Sequence, residues 1–164
     1  MQRIGMGYDV HIIKQDRELI LGGVNIPFEI DGKKMGLDAH SDGDVLSHAI
    51  MDALLGAAAL GDIGDHFPDT SNDYKNIDSQ VLVREVKALL DSLGYEIINI
   101  DATIIAQAPK LSPYKAQIAK TLSQSLGIQA NQINIKATTE EGLGVSGKKE
   151  GMAANAVCLI QKTK

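Results

Sequence analysis

Asp9 and His11 stand one residue apart in RIGMGYDVHII, a run whose residues alternate between apolar and small or polar types. In an extended strand, positions i and i+2 project to the same face, so this carboxylate and imidazole lie side by side. Zn²⁺ accepts both donor types at about 2.0–2.2 Å, and the pair reads either as two ligands of one metal or as a surface Asp–His pair. His48 is the third candidate. With Asp44 and Asp52 it forms a stripe at spacings of four, beside the apolar Met51 and Leu55, which predicts a partly buried histidine between two carboxylates. Such a residue is either satisfied structurally or oriented to bind a metal through its other ring nitrogen. Together Asp9, His11 and His48 supply three N/O donors, the number in a catalytic zinc site that keeps one position open. A structural zinc site mostly draws four ligands from cysteines, and the chain has one, Cys158.

Other segments carry polar chemistry outside this triad. His40 lies eight residues before His48, ahead of the expected helix start, where free N–H groups near Ser41 and Asp42 would favour an anion. It reads as a hydrogen-bond donor to phosphate or as an exposed loop histidine. AQAPKLSP (106–113) places Lys110 at a strand end between prolines. KATTEEGLG (136–144) offers the hydroxyls of Thr138 and Thr139 and the carboxylates of Glu140 and Glu141 after another strand. Hydroxyls with a carboxylate at a strand end suit a phosphate with Mg²⁺, and ordinary turn chemistry is the alternative for each loop. GVSGKKEG is glycine-rich but lacks the spacing of a P-loop.

The elements that must position these residues follow from periodicity. The first strand puts Ile4, Met6, Tyr8, Val10 and Ile12 on one face and Gly5, Gly7, Asp9 and His11 on the other, and the glycines let something approach the backbone closely. ELILGGVNIPF reads as a small hairpin around Gly22–Gly23. From Asp44 to about Leu60 the period is helical; Ser41 with Asp44 resembles a capping box, which predicts a helix beginning just after Ser41 and stopping at Gly61. Residues 62–78 lack periodicity, and a loop of that length is uncommon in a compact domain unless it serves function or is disordered. A second helix is expected over about Ser79 to Leu93 before Gly94, a central strand in EIINIDATIIAQ, and a third helix opened by Ser112 and Pro113 and closed by Gly127. Strands at 133–138 and 152–161 complete one α/β domain (α+β type) with a mixed sheet and three main helices.

Bulk properties agree with an ordinary domain. The 164 residues, 44% hydrophobic and 23% charged, suffice for one full core. A net charge of −5 argues against a broad nucleic-acid surface. The lone cysteine sits in an alternating apolar run and reads as a buried strand thiol, consistent with a reducing compartment. The absence of a basic leader or a membrane-length apolar run predicts a soluble, cytoplasmic protein without membrane partners.

Taken in order and at their spacings, RIGMGYDVH, LDAHSDGDVLSHAIMDALLGAAALGDIGDHFPDT, DATIIAQAPKL and INIKATTEEGLG closely resemble the 2-C-methyl-D-erythritol 2,4-cyclodiphosphate synthase family over essentially the whole chain. The resemblance implies a homotrimer of subunits with a four-stranded sheet, and active sites between subunits. It implies a phosphorus–oxygen lyase in which the 2-phosphate of 4-diphosphocytidyl-2-C-methyl-D-erythritol 2-phosphate attacks the β-phosphorus and CMP is released. By position, Asp9, His11 and His48 match zinc ligands, and Glu141 matches the ligand of a second divalent ion, Mg²⁺ or Mn²⁺. His40 and Thr139 match catalytic residues, and Ser41 a phosphate contact, with Val10 among the substrate-binding positions beside the triad. Asp62, Ile63 and Gly64 match ribose contacts, and Phe67, Pro68, Asp69, Thr70 and Ser71 the erythritol-side loop. Ala106, Gln107, Ala108, Pro109, Lys110, Leu111 and Ser112 match cytidine and phosphate contacts from the neighbouring subunit, as do Thr138 and Glu140, and Lys148 is counted among the substrate-binding positions. The chain departs from the family pattern at Met6, Glu140, Val145, Lys148 and Asn155; the last three lie where some members line a cavity for isoprenoid diphosphates, so that ligand is not carried over. Two rival classes stand beside this one. A zinc phosphoesterase with the same triad would release inorganic phosphate, and a non-catalytic nucleotide- or isoprenoid-diphosphate-binding module would bind without turnover.

Overall fold

A computed structural model describes residues 1–163. The first strand, β1 (Gln2–Gln15), runs antiparallel to the last, β8 (Gly151–Lys162), which in turn pairs antiparallel with β6 (Tyr95–Ile105). β7 (Ile133–Thr138) is parallel to β6, the two joined through α4 (Lys115–Leu126). These four strands form the mixed sheet expected from the sequence, but the sheet has six strands rather than four. β4 (Glu29–Ile30) and β5 (Lys33–Leu37) extend it beyond β1, in the order β4-β5-β1-β8-β6-β7. The missed signal is Asp31–Gly32, both at positive φ, a D-G hairpin turn flanked by short strands. The hairpin around Gly22–Gly23 forms separately as β2 (Ile20–Leu21) and β3 (Val24–Asn25).

The helices cover one face of the sheet. α1 (Val45–Ala58) lies directly on β1 and β8 and is buried on nearly every side. α3 (Ser79–Ser92) packs beside it and α4 beside α3, through apolar stripes that include Leu82, Val86 and Leu90, and Ile118, Leu122 and Leu126. Removing these side chains from water supplies the main stabilisation of the layer. Two helix starts differ from expectation. Gly43 sits at φ 78° and breaks the backbone after Ser41, so the N-cap of α1 is Asp44, whose carboxylate accepts from Ser47 N at 3.0 Å. Residues 112–114 form a turn, and α4 begins at Lys115 rather than at Pro113. At its far end α1 stops at Ala59, in the left-handed region, before Gly61 is reached.

The opposite face of β1 is apolar and open. Ile4, Met6, Tyr8, Val10 and Ile12 are 43–74% exposed, and Val157 on β8 beside them is 45% exposed. Cys158 is buried as expected; its thiol donates to the Ala53 carbonyl, and burial pushes it up to about 11. Among the described residues no helix is long and apolar enough to cross a membrane.

Candidate metal centre and active site

The glycine face of β1 receives α1. A Cβ on Gly5 would meet the Ala53 carbonyl at 1.8 Å, and one on Gly7 the Ala49 carbonyl at 1.9 Å. Two residues of strand rise about 6.6 Å and four residues of helix about 6.0 Å, so the glycines and alanines keep step along the contact. Continuing that step by one repeat places the first turn of α1 over Asp9 and His11. The close approach read from Gly5 and Gly7 is therefore what delivers His48 to the other two.

Three donor atoms converge there. Asp9 Oδ2 lies 2.9 Å from His11 Nε2 and 3.0 Å from His48 Nδ1, and the two ring nitrogens are 3.0 Å apart. Tetrahedral ligands at about 2.0–2.1 Å from Zn²⁺ are roughly 3.3 Å from one another, so the triangle is nearly the size a divalent ion requires. Among the described residues it is the one cluster of three such donors. Two neutral imidazoles and a carboxylate suit a borderline ion such as Zn²⁺, and the residues fit a divalent metal. Burial opposes charge on Asp9, but hydrogen bonds from His11 and His48 outweigh it and hold the carboxyl well below the usual range. Burial likewise opposes a proton on His48, and the Asp9 carboxylate, backed by Asp44 and Asp42, reverses the balance and raises its proton affinity.

The carboxylates expected to flank His48 do other work. Asp44 is fully buried and accepts from Gly22 N, Gly23 N, Ser47 N and Ser47 Oγ, which ties the β2–β3 hairpin to the helix start. Asp52 accepts from Ile63 N at 2.9 Å and holds the start of α2 (Ile63–His66). The partners of His48 Nε2 are hydroxyls instead, Ser79 Oγ at 3.0 Å and Ser41 Oγ at 3.2 Å. Behind Ser79 stands Asp42, which accepts from Ser79 Oγ at 2.5 Å and Ser79 N at 2.9 Å. Ser79 and Asp42 went unread as site residues. Asp42 sits in plain view in HSDGD, but nothing in the sequence links it to a serine 37 positions later.

The triad opens into a cavity of about 530 Å³, walled by His40, Ser41, Met51, Phe67, Tyr74 and Leu82. Ile63, Gly64, Pro68, Asp69 and Thr70 also reach it. The 62–78 segment that closes it is organised. Asp62 caps α2, Phe67 meets Tyr74 edge-on, and His66 Nε2–H donates to the Leu60 carbonyl. His40 donates Nε2–H to the Ser71 carbonyl at 2.9 Å. Of the amides expected to be free near Ser41, those that follow it are paired, with Asp42 N donating to Ile77 O, Gly43 N to Ser41 Oγ and Asp44 N to Asp42 Oδ1.

The remaining candidates gather elsewhere. Residues Ala106 to Ser112 with Thr138 and Thr139 line a second cavity of about 300 Å³ that shares no residue with the first. Thr139 Oγ1 donates to the exposed Glu141 carboxylate at 3.2 Å, and Gln107 Oε1 accepts from Gly142 N. Glu140 accepts from Ser146 Oγ, while Lys148 caps α5 (Gly144–Gly147) and is exposed. Val10 points to the open face of β1, away from both cavities. Within one chain, Thr139, Glu141 and Lys110 are not brought to the triad.

Comparison with known proteins converges on one group. The sequence model of the YgbB family matches residues 2–161. A 2-C-methyl-D-erythritol 2,4-cyclodiphosphate synthase of Clostridium novyi (strain NT) is 59% identical over 160 residues, covering 98% of this chain and 99% of that protein. A protein of the same name from Clostridium botulinum (strain Kyoto / Type A2) is 57% identical over 158 residues, covering 96% of this chain and 99% of that protein. Among solved structures, the CDP complex of IspF from Plasmodium falciparum superposes with a TM-score of 0.84 at 37% identity, covering 99% of this chain and 97% of that one. The bifunctional IspDF from Campylobacter jejuni gives a TM-score of 0.93 at 42% identity; it covers 100% of this chain, which spans 43% of that longer one.

Proposed function

The chain belongs to the YgbB family, and on that premise we propose that it converts 4-diphosphocytidyl-2-C-methyl-D-erythritol 2-phosphate into 2-C-methyl-D-erythritol 2,4-cyclodiphosphate and CMP, a step of non-mevalonate isoprenoid biosynthesis. By class this is a phosphorus–oxygen lyase. The observation that carries the reading is the triangle of Asp9, His11 and His48 at the mouth of a cavity large enough for a phosphorylated polyol. Asp9, His11 and His48 would hold Zn²⁺, and Glu141 a second divalent ion, Mg²⁺ or Mn²⁺. Bound divalent ions supply Lewis acidity and the positive charge that an acidic protein otherwise lacks toward so anionic a substrate.

An oxygen of the 2-phosphate attacks the β-phosphorus, and the bond from that phosphorus to the oxygen bridging toward the α-phosphate breaks. CMP leaves with that oxygen, and the eight-membered cyclic diphosphate closes. Nucleophile and electrophile belong to one molecule, so the chain needs no nucleophile of its own. Its residues position and neutralise. His40 offers its ring N–H, now held by the Ser71 carbonyl, and Thr139 its hydroxyl, to phosphate oxygens as charge shifts onto them. Ser41 offers a further hydroxyl beside the triad. Asp62, Ile63 and Gly64 contact the ribose, and Phe67 to Ser71 enclose the erythritol. Lys110 and the 106–112 loop take the cytidine and phosphates, with Val10, Thr138, Glu140 and Lys148 at the margin of the site.

A homotrimer completes the site. Two features of the single chain support it. The apolar stripe of Ile4, Met6, Tyr8, Val10 and Ile12 has no cover among the described residues, and the matched site residues are divided between two cavities that share none. Incubating the protein with the cytidyl substrate, Zn²⁺ and Mg²⁺ and following ³¹P NMR tests the reaction. Cyclic diphosphate and CMP are expected; inorganic phosphate as the sole new product would establish a phosphoesterase, and binding without turnover a binding module.

A further inference from the structure

We propose that Ser79 and Asp42 are positioning residues of the metal centre, a relay that fixes His48 in the tautomer carrying its proton on Nε2 and so keeps Nδ1 free for the metal. The proposal rests on reading Asp9, His11 and His48 as metal ligands. It follows from counting protons. A serine hydroxyl has one proton to give, and a carboxylate has only acceptors. Ser79 Oγ lies 2.5 Å from Asp42 Oδ1, a separation of a charge-assisted O–H···O bond, so its proton is committed there. Toward His48 Nε2, at 3.0 Å, Ser79 Oγ can then only accept, and the ring nitrogen must be the donor. Ser41 Oγ, at 3.2 Å on the other side, also receives Gly43 N and adds a second acceptor for the same proton. The remaining ring nitrogen, Nδ1, is the one that faces Asp9 Oδ2 and His11 Nε2.

The relay is held rigidly. Ser79 is fully buried and His48 is 7% exposed, so the Ser79 hydroxyl is shielded from bulk water. Asp42 is held by three donors, Ser79 Oγ, Ser79 N and Asp44 N. Ser79 is also the first residue of α3, directly after the segment that walls the cavity, and Asp42 N donates to the Ile77 carbonyl. The contact that sets the imidazole therefore also anchors the end of the cavity wall. Outer hydrogen bonds of this kind raise ligand basicity and fix ring orientation, and their loss typically weakens metal binding about 10- to 100-fold.

The test measures Zn²⁺ affinity by chelator competition in wild type, Ser79→Ala and Ser79→Thr, with long-range ¹H–¹⁵N spectra of the histidine rings in the zinc-loaded wild type. Asp78, not Ser79, caps α3, so Ser79→Ala is expected to fold, which melting of the metal-free variant checks. The expected results are an affinity loss of about 10- to 100-fold in Ser79→Ala, recovery to within a few-fold in Ser79→Thr, and an Nε2-protonated, Nδ1-bound His48 in wild type. Wild-type zinc binding with unchanged affinity in Ser79→Ala would overturn the relay alone. A wild-type His48 protonated on Nδ1 would overturn it even if Ser79→Ala failed to fold. Absence of stoichiometric zinc in the wild type would overturn the metal-centre reading, and the relay with it.

Discussion

The two cavities of this chain are built on opposite plans. Around the triad the donors and the residues that support them are paired inside the protein. Three donors converge, Ser41 and Ser79 hold His48 from behind, and Asp42 and Asp44 lock the turn that carries them. Around the second cavity the polar side chains of Lys110, Ser112, Thr138 and Thr139 are exposed and few are tied. Thr139 meets only its neighbour Glu141, and Lys110 has no partner among the described residues. The contrast teaches where pre-organisation is needed. On the proposed function, three ligands would have to hold an ion at fixed separations before substrate arrives, whereas groups that would clasp a flexible nucleotide from a second subunit would acquire their partners on assembly.

The sharpest way to break the comparison is to remove a ligand. His48→Ala is expected to abolish stoichiometric zinc and to lower CMP release by more than about 10²-fold, read by metal analysis and a product assay. Full zinc occupancy in that variant would place the metal elsewhere. Acid is the next strongest perturbation. Metal and proton compete for His48 Nδ1, and Asp9 raises its proton affinity, so Zn²⁺ affinity should fall about tenfold per pH unit below the raised value and level off above it. In the metal-free protein the sign is opposite. His48 contributes stability fully below the ordinary histidine value of about 6.5, and that contribution is lost as pH rises through the raised value. Melting of metal-free protein across that window, with His48→Gln as the flat reference, checks it.

A third experiment asks whether the exposed cavity works in trans. Asp62→Ala and Lys110→Ala subunits, each inactive alone, should regain about a quarter of wild-type sites in randomly mixed trimers, since one neighbour pairing in four is intact. No recovery in verified mixed trimers would count against shared sites. The smallest effects concern stability. Gly7→Ala forces a Cβ onto the Ala49 carbonyl and should cost about 1–3 kcal/mol, with zinc lost as the helix is displaced. Lys110→Ala, by contrast, should stay within about 0.5 kcal/mol by denaturant unfolding while activity falls.

The three donors of the first cavity were legible because local rules reach them, whereas its 63–70 wall was named only through the family resemblance. A period of two placed Asp9 and His11 together, a period near 3.6 put His48 beside apolar positions, and glycines on the strand face announced a close neighbour. The helix start was misread by three residues, since Ser41 and Asp44 both look like caps and only the positive φ of Gly43 selects Asp44. The two short strands that widen the sheet, of two and five residues, were missed because runs so short carry little periodicity, although Asp31–Gly32 marked their turn.

Composition, spacing and alternation by themselves determined the layer of helices on a mixed sheet, the buried thiol and the identity of the three donors. Their physics is local, acting over two to four residues of chain. The tertiary structure alone decided which atoms meet. It turned Asp44 and Asp52 away from His48 and put Ser79 and Asp42 behind it. It also left Ile4, Met6, Tyr8, Val10 and Ile12 uncovered. Those outcomes depend on contacts between segments tens of residues apart, and on which face of β1 the helix takes. The glycines settle that choice, because α1 can approach the backbone only where no side chain stands in its way.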